Sequence, residues 1–317
     1  MAQVPTKEGD LPLHIPSIDK PCFTHFKVFG DLPCGKPPVV CIHGGPGAGH
    51  EYLLPFAALW PQFGLPVVFY DQIGCASSTH LREKAGKKAG DKAFWQIDVF
   101  LAELDNLLDH LQIRDGPGYH ILGQSFGGKV GAAFACSRPS GLKRLILANS
   151  LASNDHTDRG VERRLQALPQ DTQRVLRDGN QRRDFESAAY KQAMTAYMAP
   201  FMCRTSPLPS ELLAAMKHLN DDKTVHSTMY GPSTACPTGS MSGWTCIPHL
   251  HKITAPTLVY NGEFDSSEDE AQVPFFELIP RVRWITFPDA AHMCHLEGRG
   301  IRERVLQVVG DFLAQAE

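Results

Sequence analysis

The chain has 317 residues, 43% of them hydrophobic and 21% charged, and a net charge of −3. That length allows about two domains with a sizeable core. The charge balance argues against nucleic acid or an acidic membrane as a partner, and no run approaches the roughly 18 uninterrupted apolar residues that span a bilayer.

The N-terminal stretch Met1-Ala-Gln-Val-Pro-Thr-Lys-Glu-Gly-Asp10 has no apolar h-region. The C-terminal Ala314-Gln-Ala-Glu317 carries no lipidation or peroxisomal signal. The nine cysteines are scattered, odd in number and without a C-x-x-C pair. Free thiols in a reducing cytoplasm are the simplest expectation.

In chain order, 24–29 alternates apolar and polar residues and predicts an antiparallel edge hairpin. The apolar run 39–42 predicts a strand, and His43-Gly-Gly-Pro-Gly47 follows it as a glycine-rich loop. A second strand is predicted over 67–70, followed by Asp71-Gln-Ile-Gly74. Between 94 and 113, apolar residues at i, i+3 and i+4 spacing (Ile97, Phe100, Leu101, Leu104, Leu107, Leu108, Leu111) predict an amphipathic helix. A strand over 120–122 runs into Gly123-Gln-Ser-Phe-Gly127, and the small, apolar stretch 129–135 predicts a helix after it. That is G-x-S-x-G on a strand-to-helix turn, where a serine hydroxyl stands clear of its neighbours. Further strands are predicted over 145–148, 257–260 and 282–287. Most of these runs are continuous, as parallel strands covered on both faces require. Strands alternating with helices give a doubly wound, mostly parallel α/β sheet.

The alternation breaks between about 151 and 251, where helices are predicted over 161–168 and 185–197 and prolines punctuate the rest. This reads as a helical cap, residues 151–250, inserted into a core made of 1–150 and 251–317.

A serine nucleophile needs a base, and the base needs an orienting acid. Asp265 follows the strand 257–260 and His292 follows the strand 282–287. Both therefore lie at the carboxyl edge of the sheet, the edge on which ligands sit in such folds. Ser125, Asp265 and His292 converge there, with Glu263 and Asp289 as rival acids and His295 as a rival base. A metal site on His292 and His295 would need a second ligand pair, which the sequence does not supply. Acyl transfer also needs fixed N–H donors for the developing oxyanion. Gly45, with Gly44 as the alternative, and Phe126 are the candidates. The run Gly45-Pro-Gly-Ala-Gly49 is a poor dinucleotide loop, because Pro46 lacks a donor and position 50 is His. No cofactor and no metal are expected.

Taken together, His43-Gly-Gly-Pro-Gly47, Tyr70-Asp-Gln-Ile-Gly74, Gly123-Gln-Ser-Phe-Gly-Gly128, Gly262-Glu-Phe-Asp265 and His292 with Glu297 resemble the proline iminopeptidase family of α/β-hydrolases. The resemblance covers almost the whole chain, including Met229-Tyr-Gly-Pro-Ser233. It implies a cytosolic serine hydrolase acting on a small molecule or short peptide, with a helical cap over the pocket. It also implies the triad and oxyanion residues given above. The chain departs from the family in three places. The usual Asp-Gln-x-Gly-x-Gly-x-Ser is altered to Asp71-Gln-Ile-Gly-Cys-Ala-Ser-Ser78, where Cys75 reads as a passive loop residue, with a reactive thiol as the rival. Phe126 stands where a tryptophan or tyrosine is usual. Thr234 stands where relatives that bind a free amino terminus carry an acid, and an ammonium entering a dry pocket needs such a partner. Glu186, Glu211, Asp221 and Glu268 are possible substitutes. His43, Phe126, Tyr197, Tyr230, Thr234, Trp244 and Glu263 are the candidate substrate contacts. An esterase or amidase without free-amine recognition, or a ligand-binding member of the fold, are the alternatives.

Overall fold

The computed structural model describes residues 5–86, 89–233 and 238–315, the side chains at 89 and 156–159 aside. Eight strands form one sheet: β1 (Lys7–Leu13), β2 (Cys22–Phe29), β3 (Val39–Ile42), β4 (Val67–Tyr70), β5 (Tyr119–Gln124), β6 (Leu142–Ala148), β7 (Thr257–Gly262) and β8 (Val282–Phe287). Their order is β1-β2-β4-β3-β5-β6-β7-β8. The β1/β2 and β2/β4 pairs are antiparallel and all the others parallel.

The continuous apolar strands each serve two cores, because successive side chains point to opposite faces. On one face Val40, Ile42, Val68, Ile121 and Val259 pack with Phe100, Leu104, Leu107 and Val130. On the other Val39, Cys41, Val67, Phe69, Leu122 and Leu258 pack with Tyr52, Phe56, Val305 and Val309. The helices Ile97–His110 and Phe126–Cys136 supply the first layer, and Ile301–Ala314 supplies much of the second.

The predicted edge hairpin exists, but β2 pairs with β4 and β1 is the edge. The predicted helix over 94–113 is broken. Ala89–Phe94 and Ile97–His110 are separate helices, because Gln96 is extended (φ −116°, ψ 167°). Buried Trp95 holds the break, its indole N–H donating to Lys84 O at 2.8 Å. Between β6 and β7 five α-helices are found among the described residues: Asn154–Gln166, Gln170–Arg182, Ala188–Met202, Ser210–Asp221 and Thr224–Met229.

One buried acid makes stability depend on pH. Glu103 is fully enclosed, accepting from Thr24 Oγ1 (2.5 Å) and, with both oxygens, from Ile73 N–H (2.9 Å each). Burial outweighs these donors and pushes its carboxyl from 4.5 up to about 8. Between those values the folded chain keeps a proton that the unfolded chain has lost, so stability falls as pH rises through that window. Glu103→Gln retains an acceptor for Ile73. Its thermal midpoint is expected to fall less steeply than the parent's between about pH 5 and pH 9. Parallel midpoint curves would overturn the assignment.

Candidate active site

The carboxyl ends of β3, β5, β6, β7 and β8 bring residues 43–47, Ser125, Asn149, Asp265 and His292 to one edge. Ser125 sits between β5 and the helix Phe126–Cys136 at φ 56°, ψ −118°. A non-glycine residue held there stores about 1–3 kcal/mol of strain. Tight backbone contact makes the turn possible: a Cβ on Gly127 would lie 2.0 Å from Ile42 O, so only glycine fits. The 43–47 loop comes equally close, since a Cβ on Gly44 would lie 2.8 Å from Ser125 Cβ.

His292 and Asp265 are both buried and joined by a 2.6 Å hydrogen bond from Nδ1 to Oδ1. A carboxylate is acceptor only, so Nδ1 carries the proton and Nε2 presents a lone pair. The acid is held on all sides. Asn149 Nδ2 donates to Oδ2 at 2.7 Å, Ser267 N–H donates to Oδ1 at 2.8 Å, and Ser266 Oγ lies 3.5 Å from Oδ1. Gln124, next to the serine, donates its side-chain amide to His292 O at 3.1 Å. This ties the backbone of His292 to the strand that ends at Ser125. The backbone N–H groups of His292 and Met293 donate to Phe201 O (3.0 Å) and Met202 O (2.9 Å), at the end of the helix Ala188–Met202. Asn149 and Gln124 escaped the sequence reading, although Gln124 ends β5 and Asn149 directly follows β6, at the edge where ligands were expected.

The rival residues stand elsewhere. Glu263 and Asp289 are exposed and bonded to each other, Asp289 N–H donating to Glu263 at 2.9 Å. His295 is buried, its Nε2 on Tyr52 O (3.0 Å) and its ring stacked on Phe56 at 5.0 Å. It shares no ion site with His292. Among the described residues one group, His50, Glu51 and Asp71, brings candidate metal-ligand atoms within 4.8 Å of one another. His50 Nδ1 is bonded to Asp71 (2.8 Å) and His218 Nε2 to Glu51 (2.8 Å), while His50 Nε2 and Glu51 Oε2 are buried without a hydrogen-bond partner among the described residues.

In the loop after β3, Gly44 N–H donates to Tyr52 Oη at 2.5 Å, and that hydroxyl donates on to Gln124 Oε1 at 2.7 Å. Gly44 is thus already engaged. Gly45, at φ 109°, and Phe126, first in its helix, are the remaining candidate donors. His43 is buried, and both its ring nitrogens are engaged within the fold. Its Nε2 accepts from Gln72 N–H (3.0 Å) and its Nδ1 donates to Gly44 O (2.9 Å). Burial lowers its pKa, in keeping with a neutral ring locked between two backbone groups. Burial pushes the thiol of the neighbouring Cys75 well above its usual range.

Of the other candidate contacts, Tyr230 faces Phe126 edge-on, with centroids 6.5 Å apart, and stacks on His226 at 5.7 Å. Its hydroxyl accepts from Lys129 Nζ at 2.7 Å, and that ammonium also lies over the Trp244 ring. Tyr197 is buried among Val161, Leu165, Leu176 and Tyr190, so packing explains it. Glu263 is on the surface, and Thr234 lies outside the described residues. The alternative acids have partners: Glu186 with Lys191, Glu211 with Ser210, Asp221 with Lys217, and Glu268 with Arg163 and Arg164.

Fold and edge together define an α/β-hydrolase, and residues 37–299 match the family described as alpha/beta hydrolase fold. The chain is 30% identical to the proline iminopeptidase of Lactiplantibacillus plantarum over 278 residues, 86% of this chain and 92% of that one. Its structure is similar to that of the proline iminopeptidase of Mycobacterium smegmatis, with a TM-score of 0.83 and 31% identity over 96% of this chain and 97% of that one. It is also similar to the crystal structure of VinJ, with a TM-score of 0.89 and 36% identity over 98% and 99% of the two chains. The chain belongs to the proline iminopeptidase family of α/β-hydrolases, and is a hydrolase. No helix among the described residues is long and apolar enough to cross a membrane.

Proposed function

We propose that the chain is a serine hydrolase that cleaves an amide or ester bond of a small, fairly apolar substrate through an acyl-enzyme. The observations that carry this reading are the 2.6 Å Asp265–His292 bond and a serine held at φ 56° directly after Gln124, whose amide donates to His292 O. His292 Nε2 takes the proton of Ser125 Oγ as the oxygen attacks the substrate carbonyl. Asp265 holds the tautomer and stabilises the imidazolium. The N–H groups of Gly45 and Phe126 receive the oxyanion. His292 then protonates the leaving amine or alcohol, and water reverses the sequence. Residues 151–250 act as the cap, with Tyr230 and Phe126 as walls of the acyl pocket.

The family name favours substrates with a free N-terminal proline or another small residue. One observation favours a second reading without amine recognition: each alternative acid named above is already bonded to a partner. A panel of proline and alanine arylamides, their N-blocked forms and simple esters separates the two. Faster turnover of free amines supports the aminopeptidase, and preference for blocked forms removes it. Folded protein that neither turns over the panel nor reacts with a fluorophosphonate would end both.

A further inference from the structure

We propose that Arg164 is a positioning residue that fixes the Asp265–His292 pair from the cap side. The inference rests on the serine-hydrolase reading above. Arg164 lies in the helix Asn154–Gln166 and is only 6% exposed. A buried guanidinium cannot lose its charge and needs acceptors for a rigid fork of donors. Its Nη1 donates to Ser266 O at 2.8 Å and to Glu268 Oε1 at 2.9 Å, and its Nε donates to Tyr197 Oη at 3.2 Å. The guanidinium also lies 5.9 Å and 5.7 Å from the ring centroids of Tyr197 and Phe201.

These contacts reach the candidate acid and base together. Ser266 follows Asp265, and its Oγ stands 3.3 Å from His292 Nδ1. Phe201, under the same guanidinium, supplies the carbonyl that accepts from His292 N–H. Arg164 therefore holds the loop of the acid with one nitrogen and packs on the residue that holds the base. From the opposite side the acid loop is fixed by Asn149 and by Gln272, whose amide donates to Ser267 O at 3.0 Å. Without Arg164 the loop loses its outer support and Glu268 loses a buried counter-ion. Arg163 is the natural control. It pairs with the same Glu268 but is about half exposed and makes no hydrogen bond to Ser266 among the described residues.

The test compares fluorophosphonate labelling rates over pH in the full chain, Arg164→Met, Arg164→Lys and Arg163→Ala. The low-field proton resonance of the Asp265–His292 bond is followed in each. A displacement of about 1 Å in such a pair costs on the order of 100-fold. Arg164→Met is therefore expected to label about 10- to 100-fold more slowly, with a displaced or broadened low-field resonance and a shifted pH profile. Arg164→Lys keeps a charge for Glu268 but cannot span Ser266 and Tyr197, and should fall between. Arg163→Ala should match the parent within about 2-fold. A folded Arg164→Met with the parental rate, resonance and pH profile overturns the proposal. If Arg164→Met does not fold, the same result in Arg164→Lys overturns it. A parent that is not labelled at Ser125 would instead sink the serine-hydrolase reading, while the resonance still reports what Arg164 does to the pair.

Discussion

Ser125→Ala is expected to abolish fluorophosphonate labelling and to lower hydrolysis of any panel substrate by about 10,000-fold or more. The residual rate would come from the oxyanion donors and substrate binding alone, because no other hydroxyl stands on the turn. Thermal stability should tell a complementary story. On the proposed mechanism the strain at φ 56° serves the nucleophile, and glycine adopts this backbone without penalty. Ser125→Gly should therefore be as inactive as the alanine variant yet more stable, by about 1 kcal/mol. Substantial labelling of folded Ser125→Ala would place the nucleophile elsewhere and remove the acyl-enzyme mechanism.

The second large effect is expected from Asp265→Asn. The carboxylate now accepts from Asn149, Ser267 and His292 at once. Asn149 donates to Oδ2 while Ser267 N–H and His292 share Oδ1, so an asparagine that keeps the Asn149 bond places its oxygen at Oδ2 and turns its NH2 towards Ser267 N–H and His292 Nδ1. The imidazole must then accept at Nδ1 and carry its proton on Nε2, the nitrogen that should receive the proton of Ser125. A loss of about 10,000-fold in kcat is expected from the wrong tautomer, with little change in KM. A variant within about 10-fold of the parent would show that Asp265 does not orient the base.

The core of the fold could be read from the sequence because parallel strands covered on both faces leave continuous apolar runs. All six predicted core strands are present, three with the predicted bounds (β3, β4 and β8) and the other three extended by two or three residues. The convergence of Asp265 and His292 followed from strand ends alone. What escaped was set by capping and by local bonding. The helix predicted at 161 begins at Asn154, where Ser153 Oγ accepts from Asp155 N–H, and Ser187 caps the next predicted helix in the same way. The helices Gln170–Arg182 and Ser210–Asp221 went unseen because much of each is exposed and their apolar faces are short. His43, at the head of the glycine-rich loop, stands among the candidate substrate contacts in the sequence. Its ring instead closes two backbone bonds, a role that sequence spacing does not reveal.

The two bonds from His292 and Met293 to the end of the helix Ala188–Met202 carry a consequence for engineering. A chimera that imports a relative's lid would also replace the shelf on which the proposed base, His292, rests. Grafts that keep residues 200–203 native are expected to retain turnover, while grafts cut inside that tetrapeptide should lose rate as well as selectivity.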